Sequence, residues 1–145
     1  MKSIIHKVLV DTDIVIDFLT KREPFAQEAA QLFNLADQKK VQLYISSLCL
    51  NNIYYLLRKV IGHKKTLLLL QQLVEIAEIL ALDKQVVIKA LNSNFSDFED
   101  ALQNFAAVEY GNIGIIITRN LKDYKQSKLA IMTAASFNEL VFKGI

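Results

Sequence analysis

The 145-residue chain is 52% hydrophobic and 22% charged, which excludes a disordered or fibrous segment and suits one buried core. A formal net charge of +2 permits a nucleic-acid partner without announcing one, since dedicated binders are strongly basic. One cysteine excludes an internal disulfide, and four glycines with one proline favour helices and short strands over an all-β sandwich.

The first residues carry one early lysine but neither the long apolar run nor the small-residue cleavage site of a leader peptide. Lys7-Val8-Leu9-Val10 then reads as a buried parallel strand that ends abruptly in Asp11. From there the apolar residues change to helical spacing through Ile14, Ile16, Phe18 and Leu19, which predicts a helix over 13–20. Lys21-Arg22-Glu23-Pro24 closes it, because proline disfavours helix in the residue before it. Residues 25–39 form a second helix, with Phe25, Ala29, Leu32, Phe33 and Ala36 on one face.

A strand over 41–45 follows, and Ser46 or Ser47 caps a helix over 48–60 that ends at Gly62. The next helix, 64–76, runs into a strand at 78–82. Gln71, Gln72, Glu75 and Glu78 make that stretch too polar to span a bilayer, so the protein is expected in the cytoplasm with no membrane partner. Residues 84–91 are helical, Asn92-Ser93-Asn94 breaks the helix, and Ser96-Asp97-Phe98-Glu99 reads as a capping box opening a helix to 110. Gly111-Asn112 stops it. An apolar strand at 113–118 ends in Arg119-Asn120, a last strand falls at 129–132, and Thr133 caps a terminal helix. Strands alternating with helices predict an α/β fold with a parallel sheet of four to five short strands, as one domain over 1–145.

In open α/β sheets, ligands bind beyond the carboxyl ends of the strands, where Asp11 lies. Asp11 or Thr12 could merely cap the next helix, but three Asp at 11, 13 and 17 exceed that need. Asp97, Glu99 and Asp100 open the helix before the 113–118 strand, and Asp123 follows that strand. Each has an ordinary alternative: Asp97 and Asp100 would complement a helix dipole, and Asp123 would cap a turn. If the first and fourth strands are neighbours, Asp11, Asp100 and Asp123 converge on one rim. Clustered carboxylates must share protons or a cation, and hard oxygen donors suit Mg²⁺ or Mn²⁺. A divalent ion among carboxylates serves phosphodiester cleavage by activating water and neutralising charge at phosphorus. Arg119, Lys122 and Lys125 flank this pocket and are candidates for contacting phosphates.

The sequence here resembles the PIN-domain family, the small nuclease fold of VapC-type toxins, along nearly its whole length. The matching pieces are Val10-Asp11-Thr12, Ile45-Ser46-Ser47 with the helix after it, Asp97-Phe98-Glu99-Asp100-Ala101-Leu102-Gln103, and Thr118-Arg119-Asn120 with Asp123-Tyr124. The resemblance implies a three-layer α/β/α domain and a Mg²⁺- or Mn²⁺-dependent endoribonuclease, the toxin half of a toxin–antitoxin pair. It also implies a cognate antitoxin and a homodimer. Family roles fall on Asp11, Asp100 and Asp123 as metal ligands, on Thr12, Thr118 and Asn120 as pocket lining, and on Asp97 as an outer acid. Asn52 stands where the family usually has a glutamate; its amide accepts a hydrogen bond from a metal-bound water but brings no charge.

That departure keeps a second reading open, a degenerate PIN domain that binds RNA or protein without cutting. Asp11-Thr12-Asp13 also resembles the opening of haloacid-dehalogenase-type phosphatases, but the chain is short for that fold. No phosphate-cradling glycine loop occurs, and neither His6 nor His63 has metal-ligand spacing with another His or Cys. Cys49, between two leucines, is a buried apolar residue rather than a nucleophile.

Overall fold

A computed structural model describes residues 5–144. Residues 1–4, part of the stretch read as lacking a leader peptide, and residue 145 lie outside it. The chain runs β1 (His6–Val10), α1 (Thr12–Thr20), α2 (Ala26–Asp37), β2 (Val41–Ser46), α3 (Ser47–Ile61), α4 (His63–Ile76) and β3 (Ala77–Leu80). It continues through α5 (Lys84–Leu91), α6 (Phe98–Tyr110), β4 (Ile115–Ile117), a 3₁₀ turn (Leu121–Tyr124), β5 (Ala130–Met132) and α7 (Ala134–Phe142).

All strand pairings are parallel, in the order β3-β2-β1-β4-β5. The chain builds outward from β1 to β3 on one side and then returns to lay β4 and β5 on the other. The strand order therefore reverses between β1 and β4, where an open α/β sheet parts its helices and leaves a crevice. Val10 pairs with Ile117, so the residues next in line, Asp11 and Thr118, stand side by side at that crevice.

Alternation along the strands divides the core between two faces. Val8, Val10, Leu43, Ile45 and Ile117 face a cluster completed by Leu32, Phe33, Ile53, Leu73 and Phe137 from α2, α3, α4 and α7. Leu9, Tyr44 and Ile116 face Val86 and Ala90 of α5 and Ala101, Ala106 and Ala107 of α6. Burial on both faces is why β1 and β4 read as unbroken apolar runs rather than alternating ones. This is the expected three-layer arrangement.

Helix ends show the local physics that sets the boundaries. Ser46 caps α3 by accepting from the Cys49 amide at 3.0 Å, and Thr133 caps α7 through the Ser136 amide at 3.1 Å. The expected capping box at Ser96 does not form. Asp97 is the cap instead, accepting from the Asp100 amide at 2.9 Å, which moves the start of α6 one residue on. The 113–118 strand is pairable only over Ile115–Ile117, because β5 matches it over three residues.

Gly62 and Gly111 end their helices, but not in the left-handed conformation usual for a glycine cap. Both adopt φ near +85° with an extended ψ, at 85°/170° and 82°/154°. This region is open essentially to glycine alone, and it lets the chain leave the helix in an extended direction. A Cβ on Gly111 would meet no atom within 4 Å, so only backbone strain opposes a side chain there. Gly111→Ala is expected to cost about 1–3 kcal/mol of stability, read as a lower urea midpoint at unchanged m-value.

Candidate active site

Asp11 is the N-cap of α1 and also the floor of the crevice. Its carboxylate, 8% exposed, accepts four hydrogen bonds. Oδ1 takes the Thr12 amide at 2.8 Å and Gln103 Nε2 at 3.0 Å; Oδ2 takes Thr118 Oγ1 at 2.8 Å and the Tyr124 hydroxyl at 3.3 Å. The four donors hold both oxygens of the carboxylate in place. The helix-cap and functional readings of Asp11 thus describe the same atoms.

Around this floor stand the other acids. Asp100, in the first turn of α6, is pushed up to about 7. Burial is the largest cause, followed by the charges of Asp11, Asp97 and Asp123, while a hydrogen bond from Tyr124 opposes the rise. Asp13 is pushed up to about 6 by burial and then by Asp11, although the Arg119 amide donates to its Oδ2 at 3.0 Å. Glu99 is pushed up by burial, then by Asp97 and Asp11. Asp123 lies exposed in the 3₁₀ turn, its amide bonded to the Asn120 carbonyl at 3.1 Å. The fully buried Tyr124 phenol, shared between Asp11 and Asp100, is pushed up by burial and by both carboxylates.

Asp11 and Asp123 are therefore both near enough for their charges to act on Asp100. Among the described residues, however, no three acidic, histidine or cysteine side chains are spaced as a finished metal cage. Like charges hold one another apart. Three further atoms of these residues are buried without hydrogen-bond partners: Gln103 Oε1, on a side chain 1% exposed, Asp13 Oδ1 and Thr12 Oγ1. Hard oxygen donors in excess of positive charge, with orphaned buried oxygens beside them, fit a divalent cation such as Mg²⁺ or Mn²⁺.

The remaining expected residues divide. Thr118 lines the floor, and its Oγ1 also accepts from the Asn120 amide at 3.0 Å. The Asn120 side chain is 3.5 Å from Asp13 Oδ2. Thr12 contributes its amide to Asp11. Asp97 is the cap of α6, and its charge still bears on Glu99 and Asp100. Asn52, on α3, donates to Glu99 Oε1 at 2.5 Å, so its amide nitrogen faces a carboxylate from α6.

Arg119 takes a different place from a phosphate clamp. Its Nε and Nη2 bond Asp17 Oδ2 and Oδ1 at 2.8 and 3.2 Å, and its guanidinium lies 4.0 Å over the Phe25 ring. Asp17 is fully buried, so this fork is its counter-charge within the fold. Cys49 is buried, with its thiol pushed up to about 12, which suits the unreactive role expected of it.

Gln103, Tyr124 and Asp17 carry site or scaffold roles that were not assigned from sequence. A signal was present for two of them: Gln103 is one turn after Asp100, and Asp17 interrupts the apolar face of α1.

A family model described as PIN domain matches residues 7–122. The chain belongs to the PIN-domain family. It is 30% identical over 139 residues to Ribonuclease VapC1 of Aquifex aeolicus (strain VF5), covering 92% of this chain and 94% of that protein. The fold is similar to a toxin–antitoxin complex from Klebsiella pneumoniae (TM-score 0.66, 20% identity, 88% of this chain and 97% of that one). It is also similar to VapBC-1 from nontypeable Haemophilus influenzae (TM-score 0.65, 14% identity, 89% and 98%). Family membership displaces the phosphatase-like alternative for Asp11-Thr12-Asp13.

Two stability measurements test this geometry. Arg119→Leu leaves Asp17 buried and unpaired, which is expected to cost about 3 kcal/mol in urea unfolding. Asp100, raised from 3.8 to about 7, holds its proton longer in the folded state, so its contribution favours folding at low pH and is lost as pH rises through 7. Metal-free Asp100→Asn is therefore expected to melt above the wild type at about pH 8 and to match it near about pH 4.

Proposed function

We propose that the protein is a Mg²⁺- or Mn²⁺-dependent endoribonuclease, the toxin of a toxin–antitoxin pair, acting in the cytoplasm as one domain over residues 1–145. The carrying observation is Asp11 at the crevice floor, with the charges of Asp11 and Asp123 both bearing on Asp100 and adding to the rise that burial gives its proton affinity. Membership in the PIN family and the likeness to Ribonuclease VapC1 support RNA as substrate.

Asp11, Asp100 and Asp123 would hold the cation, displacing the proton that Asp100 otherwise retains near neutral pH. The bound ion would supply Lewis acidity at the phosphate and water of lowered pKa. Thr118 and Gln103 fix the Asp11 carboxylate, so the floor is positioned before substrate arrives. Tyr124 bridges Asp11 and Asp100 and can keep its bond to either when the other engages the cation. Thr12 and Asn120 line the crevice, Asp97 holds the first turn of α6, and Lys122 and Lys125 stand exposed beside it for phosphate contact.

The likeness to toxin–antitoxin complexes supports an antitoxin partner. For a homodimer or an antitoxin segment, α3 and α4 offer exposed apolar side chains, among them Leu56, Val60, Leu68 and Val74. No helix among the described residues is long and apolar enough to cross a membrane.

Cleavage of a pool of single-stranded and structured RNA, with Mn²⁺ or EDTA, tests the reading. Wild type is expected to cut only with metal. Asp11→Asn, Asp100→Asn and Asp123→Asn are each expected to cut at least about a hundredfold more slowly, the scale of losing one preorganised charged group. Metal-independent cutting, or full activity in Asp11→Asn, defeats this mechanism. Asn52 in place of an acid favours the alternative, a PIN domain that binds RNA or protein without cutting. RNA retained by the folded wild type but never cleaved is the result that reading expects.

A further inference from the structure

We propose that Glu99 supplies the carboxylate that this chain lacks at Asn52, and that Asn52 holds Glu99 at the crevice. The cation site would then draw on Asp11, Glu99, Asp100 and Asp123. This inference rests on the nuclease reading and concerns where its second acid comes from.

Three observations carry it. Asn52 Nδ2 donates to Glu99 Oε1 at 2.5 Å, which joins α3 to the first turn of α6. The carboxylate therefore sits against the residue whose place it would fill. Asn52 suits this arrangement because an amide donates to a carboxylate, whereas a glutamate at 52 would meet Glu99 as a like charge. Glu99 is also close enough to Asp11 and Asp97 for their charges to act on it.

The third observation points to what the group addresses. Glu99, Asp100 and Gln103 lie within one turn or so of α6, at spacings that share a helix face. Gln103, nine-tenths buried or more, donates to Asp11 and leaves its Oε1 without a partner. A buried acceptor with no donor marks a place that a cation or its bound water completes. Glu99 stands at the open end of the same face, its second oxygen not used by the bond to Asn52.

The test is Mn²⁺ binding to the full chain, by calorimetry and by the loss of the free-ion electron paramagnetic resonance signal. Thermal melts of the metal-free proteins confirm folding. Glu99→Gln retains an acceptor for Asn52 and removes the charge. It is expected to weaken Mn²⁺ binding by about tenfold or more, in the range found when a supporting group of a metal site is lost. The double variant Asn52→Glu/Glu99→Gln returns the charge to α3 and is expected to recover most of that loss.

Wild-type affinity in Glu99→Gln, with binding abolished by Asp100→Asn, overturns this inference alone. Failure of the wild type to bind Mn²⁺ at millimolar concentration overturns both the inference and the metal-dependent reading beneath it. Weakened binding in Glu99→Gln without recovery in the double variant overturns the exchange between positions 52 and 99.

Discussion

The structure depends on how one buried carboxylate is satisfied. Asp11 follows directly from a β1 strand whose Val8, Leu9 and Val10 are wholly excluded from water, so it sits at the edge of a low-dielectric core. An ionised carboxylate there is costly unless its lone pairs are filled. The four donors come from the start of α1, from α6, from the end of β4 and from the 3₁₀ turn. These segments span most of the chain, so the crevice floor exists only when the whole sheet and the α6 layer are assembled. Asp11 is in this sense a register pin as well as a candidate ligand.

A second device holds the adjacent wall. Arg119 leaves β4 and reaches back to the buried Asp17 of α1, while its backbone amide meets Asp13 and its guanidinium covers Phe25. The pair is forked and partly shielded, the geometry in which an arginine–carboxylate contact resists competition from water. It ties α1 to the segment after β4 on the side of the crevice opposite α6. Lys122 and Lys125, by contrast, are exposed.

Much of this was legible in the sequence, for reasons that differ by residue. The two apolar runs ending in polar residues marked β1 and β4, because strands buried on both faces cannot alternate. Given those strands, the placement of Asp11 followed from topology alone. The roles of Arg119 and Gln103 did not. Whether an arginine meets solvent phosphate or an internal aspartate depends on a partner about a hundred residues away, and no local spacing reports it. Helix caps were legible only to within a residue or so: Asp97 rather than Ser96 won the cap of α6 because a carboxylate reaching the Asp100 amide serves the helix dipole better than a neutral hydroxyl.

The unsatisfied groups explain why the crevice is a site rather than a polar flaw in the core. Natural cores leave few buried polar atoms without partners. Here Gln103 Oε1 and Asp13 Oδ1 fall near Asp11, whose charge adds to the raised proton affinity of Asp13 and Asp100. Both are acceptors, while a third orphan there, Thr12 Oγ1, also has a proton to donate. These groups sit at the switch point, where the sheet opens its crevice. Asn52 then reads less as a lost acid than as the one donor placed so that another acid, Glu99, can stand in its place.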